Sequence, residues 1–172
     1  YNTNNRVITE IYSIWNNNQF DNNNKTIYTY NASNKPTTIL NQDWNGSSWV
    51  NDSKTDISYS GTFFVDAITK EWDGTQYVNH YKSTPTYSGN NATQWLNEQW
   101  DGFQWIIDGR TLLTYNANNK ITNYKNQDWT GSGWDDEENL AYTYALNFNR
   151  LTQINSYFGE LNGKYVYNYD TN

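Results

Sequence analysis

The sequence predicts an all-β protein of tandem β-hairpin repeats, forming a solenoid or a curved antiparallel meander. Three observations carry this prediction. Tyr1, Tyr30, Tyr59, Tyr87, Tyr115 and Tyr144 follow one another at 28 or 29 residues, and Trp15, Trp44, Trp72, Trp100 and Trp129 keep the same step. A second aromatic stands five residues after each of these tryptophans, at Phe20, Trp49, Tyr77, Trp105 and Trp134. Between the paired aromatics lie Asn45-Gly46, Asp73-Gly74 and Asp101-Gly102, with Thr130-Gly131 as a variant. Such dipeptides between β-type runs are strong hairpin signals. A period of about 20 to 50 residues marks a repeat architecture.

The repeats run approximately 1–29, 30–58, 59–86, 87–114, 115–143 and 144–172, in one repeat domain. Each reads as two strands and two turns. In the second, residues 37–44 form the first strand, 45–48 the tip and 49–59 the return strand. The other turn is rich in Asn and Gly: Asn31-Ala32-Ser33-Asn34, Ser88-Gly89-Asn90-Asn91, Asn116-Ala117-Asn118-Asn119. Asn tolerates the left-handed backbone that such turns need. The first repeat has Asn16-Asn17-Asn18-Gln19 at its tip, without Gly. In the last, Tyr157 or Phe158 stands near the expected Trp, and Leu161-Asn162-Gly163-Lys164-Tyr165 takes the place of the usual tip.

Strand alternation predicts one face more apolar than the other. Counting back by twos gathers Trp15, Ser13, Ile11 and Val7, then Trp72, Lys70, Ile68 and Phe64, then Trp100, Glu98, Leu96 and Ala92. No 3.6-residue period persists, so no helix is expected.

Composition narrows the class. Only 35% of the chain is hydrophobic, yet it holds nine Trp, sixteen Tyr and six Phe. Disordered chains are poor in aromatics, so the chain is expected to fold around an aromatic rather than an aliphatic core. A net charge of -7 and a pI near 4.5 argue against nucleic acid as a partner. No apolar run approaches the ~18 residues of a membrane helix, so no membrane insertion is expected. Without Cys there is neither a disulfide framework nor a thiolate metal site.

The phrases Tyr28-Thr29-Tyr30-Asn31-Ala32-Ser33-Asn34-Lys35 and Tyr142-Thr143-Tyr144 resemble the YD repeats of Rhs-type proteins. That pattern is a Tyr-x-Tyr-Asp turn followed by Asn-Gly and a basic residue. The tip Trp44-Asn45-Gly46-Ser47-Ser48-Trp49 resembles repeats in secreted and surface proteins of gliding, polysaccharide-degrading bacteria. Asn replaces the usual Asp in most repeats, and the period is longer. The resemblance implies a β-hairpin array, an extracellular or cell-surface location, and no catalytic residues to carry over. Such arrays serve as shells, spacers or binding modules. The opening Tyr1-Asn2-Thr3-Asn4-Asn5-Arg6 enters in phase with Tyr115, and Tyr169-Asp170-Thr171-Asn172 reads as the start of another repeat. The chain is therefore expected to be a segment of a longer polypeptide, with other domains of that polypeptide as partners.

Candidate ligand-binding residues are Trp44, Trp49, Trp95, Trp100, Trp105, Trp129 and Trp134. Paired rings flanking successive tips would align as a platform, on which the flat face of a sugar stacks while Gln42, Asp43, Gln127 and Asp128 bond its hydroxyls. The expected partner is a polysaccharide or cell-surface glycan. The plainer reading is that the rings fill the space between repeats, as in a spacer or adhesin stalk. Trp95 falls on the more polar side, equivalent to Ile39 and Tyr124, and is expected to be the exposed aromatic.

Three further patterns carry less. Thr29, Ser58, Thr86, Thr114 and Thr143 form one hydroxyl column, and Thr26, Thr55, Ser83 and Thr111 another. Such columns fit ice binding but follow equally from β-propensity. The run Asp135-Asp136-Glu137-Glu138 offers oxygens to Ca²⁺ without EF-hand spacing; otherwise no cofactor is expected. The single His80 has no repeat counterpart, and no nucleophile motif occurs. Glu71 with Asp73, or Glu98 with Asp101, are nominal acid–base pairs, but the expectation is no enzyme.

Overall fold

The computed structural model describes residues 1–145, 150–158 and 160–168. Among them are twelve strands and no helix. They are β1 (Thr9–Asn16), β2 (Gln19–Tyr30), β3 (Pro36–Trp44), β4 (Trp49–Ser60), β5 (Phe63–Trp72) and β6 (Tyr77–Ser88), followed by β7 (Asn91–Trp100), β8 (Trp105–Tyr115), β9 (Ile121–Trp129), β10 (Trp134–Ala145), β11 (Arg150–Phe158) and β12 (Glu160–Val166). Sheet order equals chain order, giving an open antiparallel meander of hairpins. The chain falls into two compact units, Tyr1–Lys82 with Trp100–Trp105, and Ser83–Gln99 with Ile106–Asn172.

The turns form where side chains answer backbone N–H groups. At the second tip, Asn45 Oδ1 accepts from the N–H groups of Ser47 and Ser48 at 3.0 and 2.9 Å, while Gly46 takes a φ of 97°. Asp73 and Asp101 do the same for Thr75 and Gln76, and for Phe103 and Gln104. The first tip has no Gly because Asn17 and Asn18 adopt the left-handed region themselves, at φ 47° and 64°. At the opposite end of the strands, Asn31 and Asn116 accept from two N–H groups each, and Asn34 and Asn119 supply the left-handed residue.

Two bulges per repeat interrupt the alternation. In the first compact unit, Asn23 and Asp52 are extra residues on return strands, since Ser13 opposes Asn22 and Tyr12 opposes Asn24, and Gln42 opposes Asn51 and Asn41 opposes Ser53. Glu137 is the counterpart in the second unit. A second extra residue falls at Thr37, Val65, Thr122 and Thr152. Each bulge shifts the parity of the strand. Counting by twos therefore misplaces Phe64, which opposes Tyr59 on the face away from Trp72, and Val7 lies ahead of β1.

Tyr30, Tyr115 and Tyr144 explain the Tyr period. Their hydroxyls donate to the carbonyls of Val7, Ala92 and Ile121 at 2.7, 2.8 and 2.8 Å. Each bond ties the end of a return strand to the start of its own hairpin.

The expected aromatic core is absent. Among the described residues no hydrophobic side chain is buried and none of any type is fully buried. Within each compact unit the sheet is a single layer, so a ring has neighbours only on its own face. Most of the described aromatics lie half-buried along the sheet, while Trp15, Phe20 and Phe103 are exposed. On the face away from the paired rings, hydroxyl–amide bonds stitch the strands. Thr26 donates to Asn41 and Asn41 to Ser53 in the first unit, and Ser83 pairs with Asn97 and Thr111 with Asn126 in the second. One of the two Thr columns is thus spent on internal bonds, whereas Thr29, Ser58, Thr86, Thr114 and Thr143 are exposed.

The last repeat corrects one further expectation. Leu161 to Tyr165 is not a tip but lies inside β12, where Gly163 opposes Ser156 and Leu161 opposes Tyr157. Tyr169 to Asn172, read as the start of another repeat, lie outside the described residues.

Candidate functional site: the paired-aromatic face

Each hairpin tip brings two rings together across the ladder. In the first compact unit the pairs are Trp15–Phe20, Trp44–Trp49, Trp72–Tyr77 and Trp100–Trp105, with centroids 4.9, 5.1, 4.9 and 5.2 Å apart. In the second it is Trp129–Trp134, at 4.9 Å. Interplanar angles of 62° to 67° make the first unit's pairs edge-to-face, and Trp129–Trp134 is tilted at 60°; an edge-to-face pair is worth about 0.5–1.5 kcal/mol beyond area burial. Trp44 opposes Trp49, and Trp129 opposes Trp134, directly in register. Within the first unit, successive tips are two strands apart, roughly 10 Å.

A cation from the preceding repeat covers the second ring of a pair. Lys25 Nζ stands 5.5 Å from the Trp49 ring centre, Lys82 Nζ 5.5 Å from that of Trp105, and the Arg110 guanidinium 4.0 Å from that of Trp134. Lys54 holds the same position in the second repeat but turns to Asp56 at 2.8 Å, which also binds Lys70 at 2.8 Å.

Planar hydrogen-bonding pairs flank the rings on the same face. Gln42 Nε2 donates to Asn51 Oδ1 at 3.1 Å, two residues from Trp44 and Trp49. The matching pair in the second unit is more elaborate. Gln127, the one buried polar side chain among the described residues, accepts from Arg110 Nε at 2.7 Å and donates to Asp136 Oδ1 at 2.5 Å. Asp136 also takes Lys125 Nζ at 2.7 Å, and this bond, with that from Gln127, holds its carboxyl below the usual carboxylate range.

Of the residues expected to bind ligand, Trp44, Trp49, Trp100, Trp105, Trp129 and Trp134 thus form the tip pairs, and all six are half-buried. Trp95 differs from expectation. It is half-buried, not exposed, and occupies the position of Tyr124, which lies on the face opposite Trp129. The most exposed aromatic among the described residues is Phe103, at 92%, inside the turn between Trp100 and Trp105. It breaks the repeat, since Ser47, Thr75 and Ser132 hold its position elsewhere, and that break is the signal by which the sequence marks it.

The other candidates do not converge. Asp136 points to the ring face, Asp135 and Glu138 to the opposite one, and Glu137 sits in a bulge. Among the described residues no three or more His, Cys, Asp or Glu side chains are placed to hold a metal ion. His80 Nε2 lies 3.3 Å from Glu71 Oε1, both well exposed. Asp73 and Asp101 serve their turns: N–H groups of Gln76 and Thr75, and of Gln104 and Phe103, depress their carboxyls. On the opposite face of the second unit, Asn97, Gly109, Thr111, Asn126, Asp128 and Glu137 line an open polar groove.

No known family's sequence profile matches the chain, and no curated protein matches it in sequence. Among solved structures, a protein of unknown function from Bacteroides fragilis is similar at a TM-score of 0.53 with 13% identity, over 72% of this chain and 94% of its own. A DUF3836 family protein from Bacteroides vulgatus aligns at a TM-score of 0.39 with 14% identity, over 48% of this chain and 89% of its own. The likeness to the Bacteroides fragilis protein is one of fold alone.

Proposed function

We propose that this protein is a non-catalytic extracellular module that binds carbohydrate on its paired-aromatic face. The observation that carries the reading is the juxtaposition on one face of a Trp pair with a planar hydrogen-bonded pair two residues away. Trp44–Trp49 lies beside Gln42–Asn51, and Trp129–Trp134 beside Gln127–Asp136. A ring offers an apolar plane to the C–H face of a pyranose, and amides and carboxylates bond its hydroxyls. Cations stand over Trp49, Trp105 and Trp134, so stacking falls to the first ring of each pair: Trp44, Trp100 and Trp129. The resemblance to repeats of polysaccharide-degrading bacteria supports the same partner and the extracellular location.

Tryptophan fluorescence during titration with soluble polysaccharides tests this. A saturable emission change with at least one polymer is expected, weakened about tenfold in a Trp44→Ala, Trp100→Ala double variant whose circular dichroism shows the sheet intact. A panel without any response overturns the reading.

The second reading is a structural spacer in a surface protein. The cation cover favours it, because rings capped by Lys25, Lys82 and Arg110 brace one repeat against the next. A silent polysaccharide panel would leave this role standing.

A further inference from the structure

Within each compact unit the charges divide between the two faces of the sheet. In the first, Lys25 opposes Gln42, and Lys54 opposes both Leu40 and Lys70, which places all three lysines on the ring face. Lys82 joins them over Trp105. Asp56 and Asp66 accompany them, opposing Ile68 and Ser58, and Asp52 sits in a bulge between the faces. The other face carries Glu10, Asp21, Asp43 and Glu71, which oppose Thr26, Ile14, Asn24 and Ser53, with Lys35 over the Tyr59 ring as its cation. In the second unit, Arg110 opposes Gln127, Lys125 opposes Asn139, and Lys164 opposes Asn155, again on the ring face. Asp136 and, by alternation, Glu98 lie on that face, whereas Asp128, Asp135 and Glu138 lie on the other.

The ring face is therefore positive in each unit, although the chain carries -7 overall. The acids that set the total sit largely behind the sheet. At physiological salt the Debye length is about 8 Å, so a ligand lying on the ring face responds to the local cations more than to the total. Several of these cations are already held in place. Arg110 is fixed by Trp134 and by its Nε–H bond to Gln127, and the terminal N–H groups of a guanidinium are those that grip a carboxylate or sulfate in bidentate fashion. Lys54, Lys70 and Lys125 keep 33%, 29% and 28% of their side-chain surface in water.

We infer that the glycan bound by the ring face is acidic, its carboxylate or sulfate groups meeting Lys25 and Lys82 on the first unit, or Arg110 and Lys125 on the second, while its sugar rings stack beside them. This inference rests on the carbohydrate reading and names its ligand class.

Affinity electrophoresis through gels containing matched polymers tests it: polygalacturonate against its methyl ester, and dextran sulfate against dextran, with single-stranded oligothymidylate as competitor. The acidic member of at least one pair should retard the protein about tenfold more strongly than its neutral partner, and the retardation should fall with added NaCl. The pair that responds tells carboxylate from sulfate. Lys25→Gln with Arg110→Gln should abolish the difference, and Asp43→Asn with Glu71→Gln on the other face should preserve it, both folded by circular dichroism. Equal retardation by neutral and acidic partners overturns the acidic ligand and leaves carbohydrate binding intact. No retardation by any polymer overturns both. Oligothymidylate that displaces the acidic polymer at equal charge concentration shows a generic polyanion surface and overturns the glycan assignment.

Discussion

The Arg110 guanidinium lies 4.0 Å from the ring centre of Trp134 while its Nε donates to Gln127 at 2.7 Å. One side chain thus joins two successive repeats, through a ring on β10 and an amide on β9. Arg110→Ala should cost roughly 1–2 kcal/mol, the sum of one cation–π contact and one part-buried hydrogen bond. Arg110→Lys should restore less than half, since an ammonium cannot stack and donate in the same plane. Urea denaturation followed by Trp emission measures both, and equal stability of all three proteins would show the contact to be incidental.

Tyr115 anchors its hairpin through one hydrogen bond, to the Ala92 carbonyl at 2.8 Å, and burial pushes its phenol above the ordinary value. Tyr115→Phe should lower stability by about 1 kcal/mol, as should Tyr144→Phe at the equivalent bond to Ile121. Thermal unfolding of the two variants would contradict this if neither midpoint moved.

The glycines separate strain from crowding. At Gly102, φ is 104° and nothing lies within 4 Å of an added Cβ, so Gly102→Ala should cost about 1 kcal/mol or more through backbone strain alone. Gly61, at φ 58°, has nearly the φ that Asn119 adopts at 57° in the turn of another repeat, and Gly61→Asn should fold with little loss. Gly109 has no positive φ, but an added Cβ would meet the Gln127 carbonyl oxygen at 3.0 Å. Gly109→Ala should therefore destabilise by crowding, visible as a lower urea midpoint.

Two sets of groups contribute to the pH limits, alongside Asp56 and Asp136, whose carboxyls are also lowered. Asp73 and Asp101 are depressed below the ordinary carboxylate value by N–H groups of their own turns. Their contribution is complete above the unfolded value of about 3.9 and is lost as pH falls through the lower folded value. Tyr59, Tyr115 and Tyr144 are raised by burial, so their contribution is complete below about pH 10 and is lost as pH rises through the higher folded value. Stability should be flat between these limits. In Asp73→Asn with Asp101→Asn the acid limb should flatten while the alkaline limb stays. An unchanged acid limb would assign it to other carboxylates.

The period, the hairpins and the tip pairs were legible because aromatic spacing and turn dipeptides are local signals. The expected strand at 37–44 and return strand at 49–59 differ from β3 and β4 by one residue at single ends. The bulges at Asp52 and Val65 were not legible, since nothing in residue type marks an extra residue in a ladder, and their parity shifts moved Phe64 to the other face. The missing core was hidden for a different reason. Aromatics in register announce packing, yet not whether a second layer covers them. The charge partition is invisible to net charge and to simple alternation, because Lys54 and Asn51 share a face only through the bulge between them.

Oxidative footprinting of the tryptophans, read by peptide mass spectrometry with and without bound polysaccharide, tests the role of the ring face most directly. Protection of Trp44, Trp100 and Trp129, with Trp95 on the other face oxidised equally in both states, is the predicted result. Protection confined to Trp95, or none at any tryptophan under saturating polymer, would contradict it.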